Sequence, residues 1–181
     1  MNNGRVAKKY AKALFDVSID KDRLDLMYEE LQEVSHATLN YIDDLKAIDS
    51  NPNQPASERR KFAGIVFGDA NYYLKNMLMI LANNRHLALI HSIFKEFKHL
   101  YDHHYNQGDA LVESVYQLNE EELSRIESVI LNKTKLSKVH ITTKINPNLI
   151  GGFRAKVGTT VLDGSIKNDL EQIERKFKRV N

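Results

Sequence analysis

Apolar residues recur at spacings of three and four through the first hundred positions, and this pattern limits the fold more than any other feature of the chain. A stripe with this spacing lies on one face of an α-helix. The first stripe consists of Val6, Tyr10, Leu14 and Val17. Later segments repeat the pattern, with short polar breaks between them. The spacing therefore predicts five or six amphipathic helices, which short connections should pack as an antiparallel bundle.

The pattern changes near Gly108. Residues 110–118 and the alternating stretch 138–144 predict two strands. Asn119, followed by Glu122 three positions later, predicts a capped helix between them. Two more short strands and a final helix with Ile166, Leu170, Ile173 and Phe177 complete the expectation. The chain is thus predicted to be an α+β protein, with a helical domain over 1–106 and a small α+β domain over 107–181.

Composition excludes several classes of protein. Cys is absent, which removes disulfide scaffolds, thiolate metal sites and cysteine nucleophiles. The longest apolar run, Met77–Ala82, is too short to cross a bilayer. The N-terminus lacks the apolar core of a signal peptide. We expect a soluble chain that remains in the compartment where it is made.

No combination of residues predicts catalysis. His99 and His103 have the spacing of two zinc ligands on a helix, but no third ligand follows at a matching distance. The chain also lacks the GxGxxG and GKS/GKT patterns of phosphate-binding loops. We therefore predict no catalytic residue, no metal site and no cofactor.

Charge is concentrated at the C-terminal end, where residues 133–181 carry 11 basic and 4 acidic side chains. Such a surplus is typical of a solvated face, but it would also suit nucleic acid, an anionic membrane or an acidic partner protein. Nucleic-acid binding favours exposed aromatic side chains among the basic ones. Phe153 and Phe177 lie instead on apolar stripes, which favours a place in the core.

Two helices carry more apolar surface than one core contact requires. Ala7, Ala11 and Ala13 accompany the large apolar residues of the first helix, and residues 77–81 are apolar on all sides. Either these helices are buried all round, or they form a groove for an amphipathic helix of a partner. The pattern alone favours neither alternative.

Several short motifs resemble one family. These are YAKALFD at Tyr10–Asp16, NPNLIGG at Asn146–Gly152, Gly158, VLDGS at Val161–Ser165, and Leu170. In order and spacing they are similar to the δ subunits of bacterial F-type ATP synthases, relatives of the mitochondrial oligomycin-sensitivity-conferring protein. The resemblance covers essentially the whole chain. Thr159 is a departure, because the family often has an acidic residue there.

The resemblance implies a six-helix bundle that binds the N-terminal segment of an α subunit against the first and fifth helices, about 5–19 and 71–83 here. The candidate contact residues are Tyr10, Leu14, Leu74, Leu78 and Leu81. The domain over 107–181 would bind the peripheral-stalk b subunits. Its candidate partner-binding or structural residues are Gly151, Gly152, Asp163 and Gly164.

The implied function is that of a non-catalytic stator subunit, which holds the catalytic head still during proton-driven rotation. Contact with the membrane would be indirect, at the cytoplasmic face of a bacterial plasma membrane, and no nucleic acid would be bound. The alternative is a nucleic-acid-binding accessory protein that uses the basic C-terminal third. A metal-dependent enzyme built on His99 and His103 is the third hypothesis.

Overall fold

The computed structural model describes residues 3–166, and the chain separates into two compact units, Met1–Tyr101 and Asp102–Asn181. The described part of the first unit is entirely helical. Its α-helices are α1 (Asn3–Asp20), α2 (Leu24–Thr38), α3 (Ile42–Ser50), α4 (Ala56–Val66), α5 (Tyr72–Asn83) and α6 (Ile90–His104), with short 3-10 helices at Leu39–Tyr41 and Leu87–Leu89. The last helix, α6, continues past the boundary between the units.

The buried face of α1 differs from the predicted stripe. It consists of Ala7, Ala11, Leu14, Phe15 and Ser18. Of the predicted set only Leu14 is fully buried, whereas Val6 and Tyr10 are half-buried and Val17 is 37% exposed. Small side chains at three of the buried positions let the backbone of α1 approach its neighbours closely. The periodicity therefore predicted the helix correctly, but it assigned the buried face to the larger apolar side chains rather than to the small ones.

The core of the first unit combines residues from all six of these helices and the 3-10 helix at Leu87–Leu89. Phe97, Met27, Leu31 and Leu74 are among its largest completely buried side chains. Phe15 on α1 meets Phe97 on α6 edge to face, with ring centroids 5.8 Å apart. The predicted amphipathic helices thus bury a single shared core, as short apolar stripes require.

The second unit contains β1 (Gln107–Ser114), α7 (Glu120–Thr134), β2 (Lys138–Ile145), β3 (Gly152–Val157) and β4 (Thr160–Ser165). The strand order is β2-β1-β3-β4; β1 is parallel to β2 and antiparallel to β3, and β3 is antiparallel to β4. Because β1 and β2 are parallel, the chain needs a crossover between them, and α7 supplies it. Ile126 and Ile130 of α7 pack with Val112 and other buried side chains of the sheet.

The predicted start of α7 is confirmed in atomic detail. The Asn119 side chain accepts a hydrogen bond from the Glu122 amide at 2.9 Å, and the Glu122 carboxylate accepts one from the Asn119 amide at 3.0 Å. This is a complete capping box. The first predicted strand, by contrast, begins earlier than expected and ends at Ser114 rather than at residue 118.

Helices and a four-stranded sheet among the described residues confirm the predicted α+β class. The predicted final helix, with its stripe from Ile166 to Phe177, lies outside the described residues except for Ile166 itself.

Candidate functional site

A hydrogen-bonded contact joins α1 to the end of α5. The Asn84 side-chain amide donates to the Tyr10 hydroxyl at 3.0 Å, and the Nδ1 atom of His86 lies 3.5 Å from the same oxygen. The rings of Tyr10 and His86 meet edge to face, with centroids 5.9 Å apart. Tyr10, predicted to bind a partner, is therefore half-buried and held by the turn that follows α5.

The four predicted leucines lie deeper. Leu14 is 4% exposed, and Leu74, Leu78 and Leu81 are completely buried in the core. Buried side chains of this kind hold α1 and α5 in place within the unit. Contact of these leucines with a partner stays a prediction.

Each of the two helices also exposes an apolar residue on the side of this contact. Val17 is seven positions after Tyr10 and therefore shares a face of α1 with it. Ile80 is four positions before Asn84, so it lies one turn before Asn84 on the same side of α5. Val17 is 37% and Ile80 51% exposed. We call Tyr10, Val17 and Ile80, with the half-buried Tyr73, the α1–α5 surface. Val17 belongs to the predicted stripe of α1 and Ile80 to the apolar run 77–81, but neither of them, nor Asn84, was among the predicted contact residues.

A buried arginine donates hydrogen bonds to the C-terminal end of α5. Arg59 is 3% exposed, and its guanidinium donates to the carbonyl oxygens of Ala82 at 2.8 Å and Asn83 at 3.0 Å, and to that of Gln54. The last carbonyl groups of a helix lack partners within it and carry partial negative charge, so a buried cation is well placed there. No sequence signal identifies Arg59 as buried, because nothing in its spacing separates it from the exposed Arg60.

A buried carboxylate lies near the same turn. One oxygen of Asp49 accepts a hydrogen bond from the Ala88 amide at 2.9 Å, whereas the other has no hydrogen-bond partner. Burial raises the pKa of Asp49, and the amides of Ala88 and Leu87 oppose that rise. Arg85, whose φ is 59°, donates to the backbone carbonyls of Asp49 and Asn51, both at 2.8 Å. These bonds fasten α3 to the turn between α5 and α6.

The candidate glycines of the second unit lie where β3 meets β4. Gly152 has φ +76°, and a Cβ there would press on the Gly164 carbonyl oxygen and lie 3.1 Å from the Ser165 Cα. Gly151 differs, because a Cβ there would meet only the side chain of Ile166. Of these two adjacent glycines, Gly152 is therefore the one whose Cβ would clash with backbone atoms. Gly164 pairs with Phe153 across the strands, and a Cβ at Gly164 would lie 3.0 Å from that ring.

Asp163 is held within its strand and by a neighbour. It accepts a hydrogen bond from the Ser165 amide at 3.0 Å and forms an ion pair with Arg154 at 3.4 Å. Bonding to Ser165 and, to a smaller degree, the charge of Arg154 lower the pKa of Asp163. Arg154 also lies 3.9 Å from Glu113. One basic side chain of the C-terminal surplus thus faces two carboxylates.

The histidines do not gather into a metal site. His99 and His103 are both exposed on α6, and within residues 3–166 no group of three potential metal-binding side chains comes together. Nor does this part of the chain contain a helix long and apolar enough to span a bilayer.

Comparison with known proteins decides the family. The sequence profile of the ATP synthase delta (OSCP) subunit matches residues 6–177. The chain belongs to this family. It is 80% identical to ATP synthase subunit delta of Staphylococcus haemolyticus (strain JCSC1435) over 176 residues, which cover 97% of this chain and 98% of the relative. Subunit delta of Staphylococcus aureus (strain JH9) is 56% identical over 177 residues, covering 98% and 99%.

A solved structure has the same fold. A chain of the cryo-EM structure of the Toxoplasma gondii mitochondrial ATP synthase hexamer superposes with a TM-score of 0.65, covering 98% of this chain and 97% of that chain at 16% identity. The predicted family resemblance is confirmed. As a member of the ATP synthase delta family, the chain is a structural subunit rather than an enzyme in its own right.

Proposed function

We propose that this protein is a stator subunit of a bacterial F-type ATP synthase and links the top of the catalytic head to the peripheral-stalk b subunits. The observation that carries this proposal is the family match over residues 6–177, together with near-complete coverage of the bacterial relatives. The functional division would fall near the predicted boundary, with 1–106 on the head and 107–181 on the stalk.

The first unit would bind the N-terminal segment of an α subunit on the α1–α5 surface. Tyr10, in the middle of α1, contacts the residue that follows α5, so the two helices meet at this end of α5. An amphipathic helix could lay its apolar side on Val17 and Ile80. Leu14, Leu74, Leu78 and Leu81 would then act mainly as the floor beneath that contact.

A bundle of six antiparallel helices suits such a role, since its packed core holds the docking surface rigid. The second unit would hold the b subunits, with the region around Gly151, Gly152, Asp163 and Gly164 at or beneath the contact. Its basic surplus would suit acidic stalk helices. The assembled protein would lie at the cytoplasmic face of the plasma membrane and touch the membrane only through the complex.

The mechanism requires no chemistry in this chain. The rotor turns inside the head, and torque reaches the catalytic sites only if the head itself cannot turn. A stator link must therefore dissociate slowly at both ends. Two compact units joined in one chain provide two separate contacts, so each can be held without constraining the other.

The proposal is tested by calorimetric titration of the full chain with a synthetic peptide of the α-subunit N-terminus from S. haemolyticus. We expect saturable one-to-one binding. Val17→Asp combined with Ile80→Asp should weaken it by about tenfold or more, because a charge in an apolar contact must be desolvated. Leu39→Asp is the matched control, because Leu39 is 44% exposed and is not part of the α1–α5 surface.

Equal affinity of the surface variant and the control would contradict the assignment of the α1–α5 surface. The stator role itself is tested separately, by adding the full chain to bacterial membranes depleted of their own delta subunit. Restored ATP-driven proton pumping is expected, and failure to restore it with a folded, head-bound chain would contradict the stator role.

A further inference from the structure

A second groove lies in the first unit, away from the α1–α5 surface. It is a cavity of about 740 Å³ between α2, α3, α4 and the loop that follows α4. Its apolar lining includes Val34, Leu45, Ile48, Phe62 and Val66. No residue of α1 or α5 lines it, so a molecule bound there would not occupy the α1–α5 surface. We call this groove the acidic cleft.

The charge of the acidic cleft has one sign. Glu30, Glu33, Asp44 and Asp69 contribute carboxylates, and the lining contains no Lys or Arg. Glu30 is engaged, since it accepts a hydrogen bond from the Asn71 amide at 2.8 Å. The other three carboxylates are exposed and form no ion pair with the described residues. Four negative charges around an apolar floor create a potential that attracts cations and repels acidic chains.

The apolar wall of the cleft is open to solvent. Val66 is 53% exposed, and Tyr41, which also lines the cleft, is 60% exposed. Apolar side chains that line a concavity and are rimmed by polar residues mark a binding surface more often than a solvated one. An amphipathic helix fits such a groove with side chains at i, i+3 or i+4 and i+7, while its flanking positions lie against the rim.

We propose that the acidic cleft binds an amphipathic helix of a partner protein whose apolar face is flanked by Lys and Arg. The apolar floor would take the leucine-like side chains, and Glu33, Asp44 and Asp69 would pair with the flanking cations. The inference does not depend on the α1–α5 surface. A separate depression on α1 is lined by basic side chains, those of Arg5, Lys8, Lys9 and Lys12. Their charge would disfavour binding of the same basic partner there.

The probe is an 18-residue peptide with leucines on one helical face and lysines on the other, titrated into the full chain by calorimetry. A second peptide carries glutamate in place of lysine. We expect one-to-one binding of the lysine peptide, weakened as salt rises, and no measurable binding of the glutamate peptide. Val66→Asp, which places a further carboxylate on the apolar wall, should weaken binding by about tenfold.

Ile65 supplies the matched control, because it adjoins Val66 on α4, is 72% exposed and does not line the cleft. Ile65→Asp should leave the affinity unchanged. The double variant Glu33→Lys with Asp44→Lys should weaken binding of the lysine peptide without altering the apolar wall, and it keeps the test valid should Val66→Asp unfold.

The proposal would be overturned if the lysine peptide did not bind, or if the glutamate peptide bound equally well. It would also be overturned if Ile65→Asp and Val66→Asp weakened binding equally. Loss of binding in the Val17→Asp, Ile80→Asp variant of the α1–α5 surface would overturn it as well. Concentration-dependent dimers that vanish in Val66→Asp would assign the cleft to a second copy of this chain instead. Failure of the α-subunit peptide to bind would leave this result unaffected.

Discussion

The Asn84 side chain donates a hydrogen bond to the Tyr10 hydroxyl over 3.0 Å, although the two residues are 74 positions apart. This bond joins the middle of α1 to the residue that follows α5. The two helices that carry the proposed α-subunit contact are thus coupled directly, and their relative position should depend on the bond.

Tyr10→Phe removes the hydroxyl while keeping the ring contact with His86. We expect a loss of about 1 kcal/mol in the free energy of unfolding, the usual contribution of one hydrogen bond. Asn84→Ala should cost a similar amount, and the double variant little more than either single change. Urea unfolding followed by circular dichroism measures the three values. Fully additive losses would show that the bond contributes nothing.

The second prediction concerns two glycines with positive φ in the second unit. Gly152 and Gly158 have φ values of +76° and +55°, but only Gly152 is crowded by the neighbouring strand. Gly158→Ala should cost about 1 kcal/mol, for backbone strain alone. Gly152→Ala should cost about 3 kcal/mol, because its Cβ would press on backbone atoms of β4 that cannot move without breaking the ladder.

Thermal unfolding of the two variants, followed by circular dichroism in parallel, compares these costs. Equal shifts in Tm would contradict the steric part of the argument. Gly151→Ala is a further comparison, since only the side chain of Ile166 opposes the added Cβ. We expect its shift in Tm to be smaller than that of Gly152→Ala.

Much of the fold follows from sequence periodicity. Helical spacing predicted the helical first unit, and the pair Asn119 and Glu122 predicted the capped start of α7. Periodicity failed on the face of α1, because Ala7, Ala11 and Ser18 are buried by close backbone approach rather than by hydrophobicity. A pattern of large apolar residues carries no signal for such packing.

The candidate sites were less accessible from sequence. Leu14, Leu74, Leu78 and Leu81 are apolar at helical spacing, and that pattern cannot distinguish a core residue from one at a groove. The structure separates the two by exposure. The acidic cleft combines residues from three helices and a loop, so its charge is visible only after folding brings Glu33, Asp44 and Asp69 together.

The third prediction is a pH dependence. Burial raises the pKa of Asp49 above its usual 3.8. The folded state therefore favours the protonated form of Asp49. The stability that this group contributes is present below its usual pKa, and it is lost as the pH rises through the pKa of Asp49 in the folded protein. Asp49→Asn cannot ionise and can still accept the hydrogen bond from Ala88. Relative to the unsubstituted protein, its free energy of unfolding should rise between pH 3 and pH 7.

Asp43 provides a control of opposite sign. Its pKa is lowered by a hydrogen bond and by the charge of Lys46, so its contribution is present above the usual pKa and lost as pH falls. Asp43→Asn should therefore show no gain between pH 3 and pH 7. Urea midpoints measured at each pH compare the two variants. A gain in Asp43→Asn, or none in Asp49→Asn, would contradict the assignment.

The last prediction uses two adjacent arginines on α4. Arg59 is buried, and its guanidinium donates to the carbonyls of Gln54, Ala82 and Asn83, whereas Arg60 is exposed. Arg59→Met would keep the apolar stem but remove the side-chain donor from three carbonyl oxygens, at a cost of about 3 kcal/mol. Arg59→Lys keeps the charge but lacks the planar fork that reaches three acceptors, so an intermediate loss is expected.

Arg60→Met is the matched control, with the same change of charge one residue away. An exposed substitution of this kind should alter the free energy of unfolding by less than about 0.5 kcal/mol. Urea unfolding at constant ionic strength compares the three variants. Equal losses in Arg59→Met and Arg60→Met would mean that the carbonyls of α5 are satisfied without Arg59. A large loss at Arg59 alone would establish that the end of α5, next to Tyr10 and the α1–α5 surface, is held in place by this buried cation.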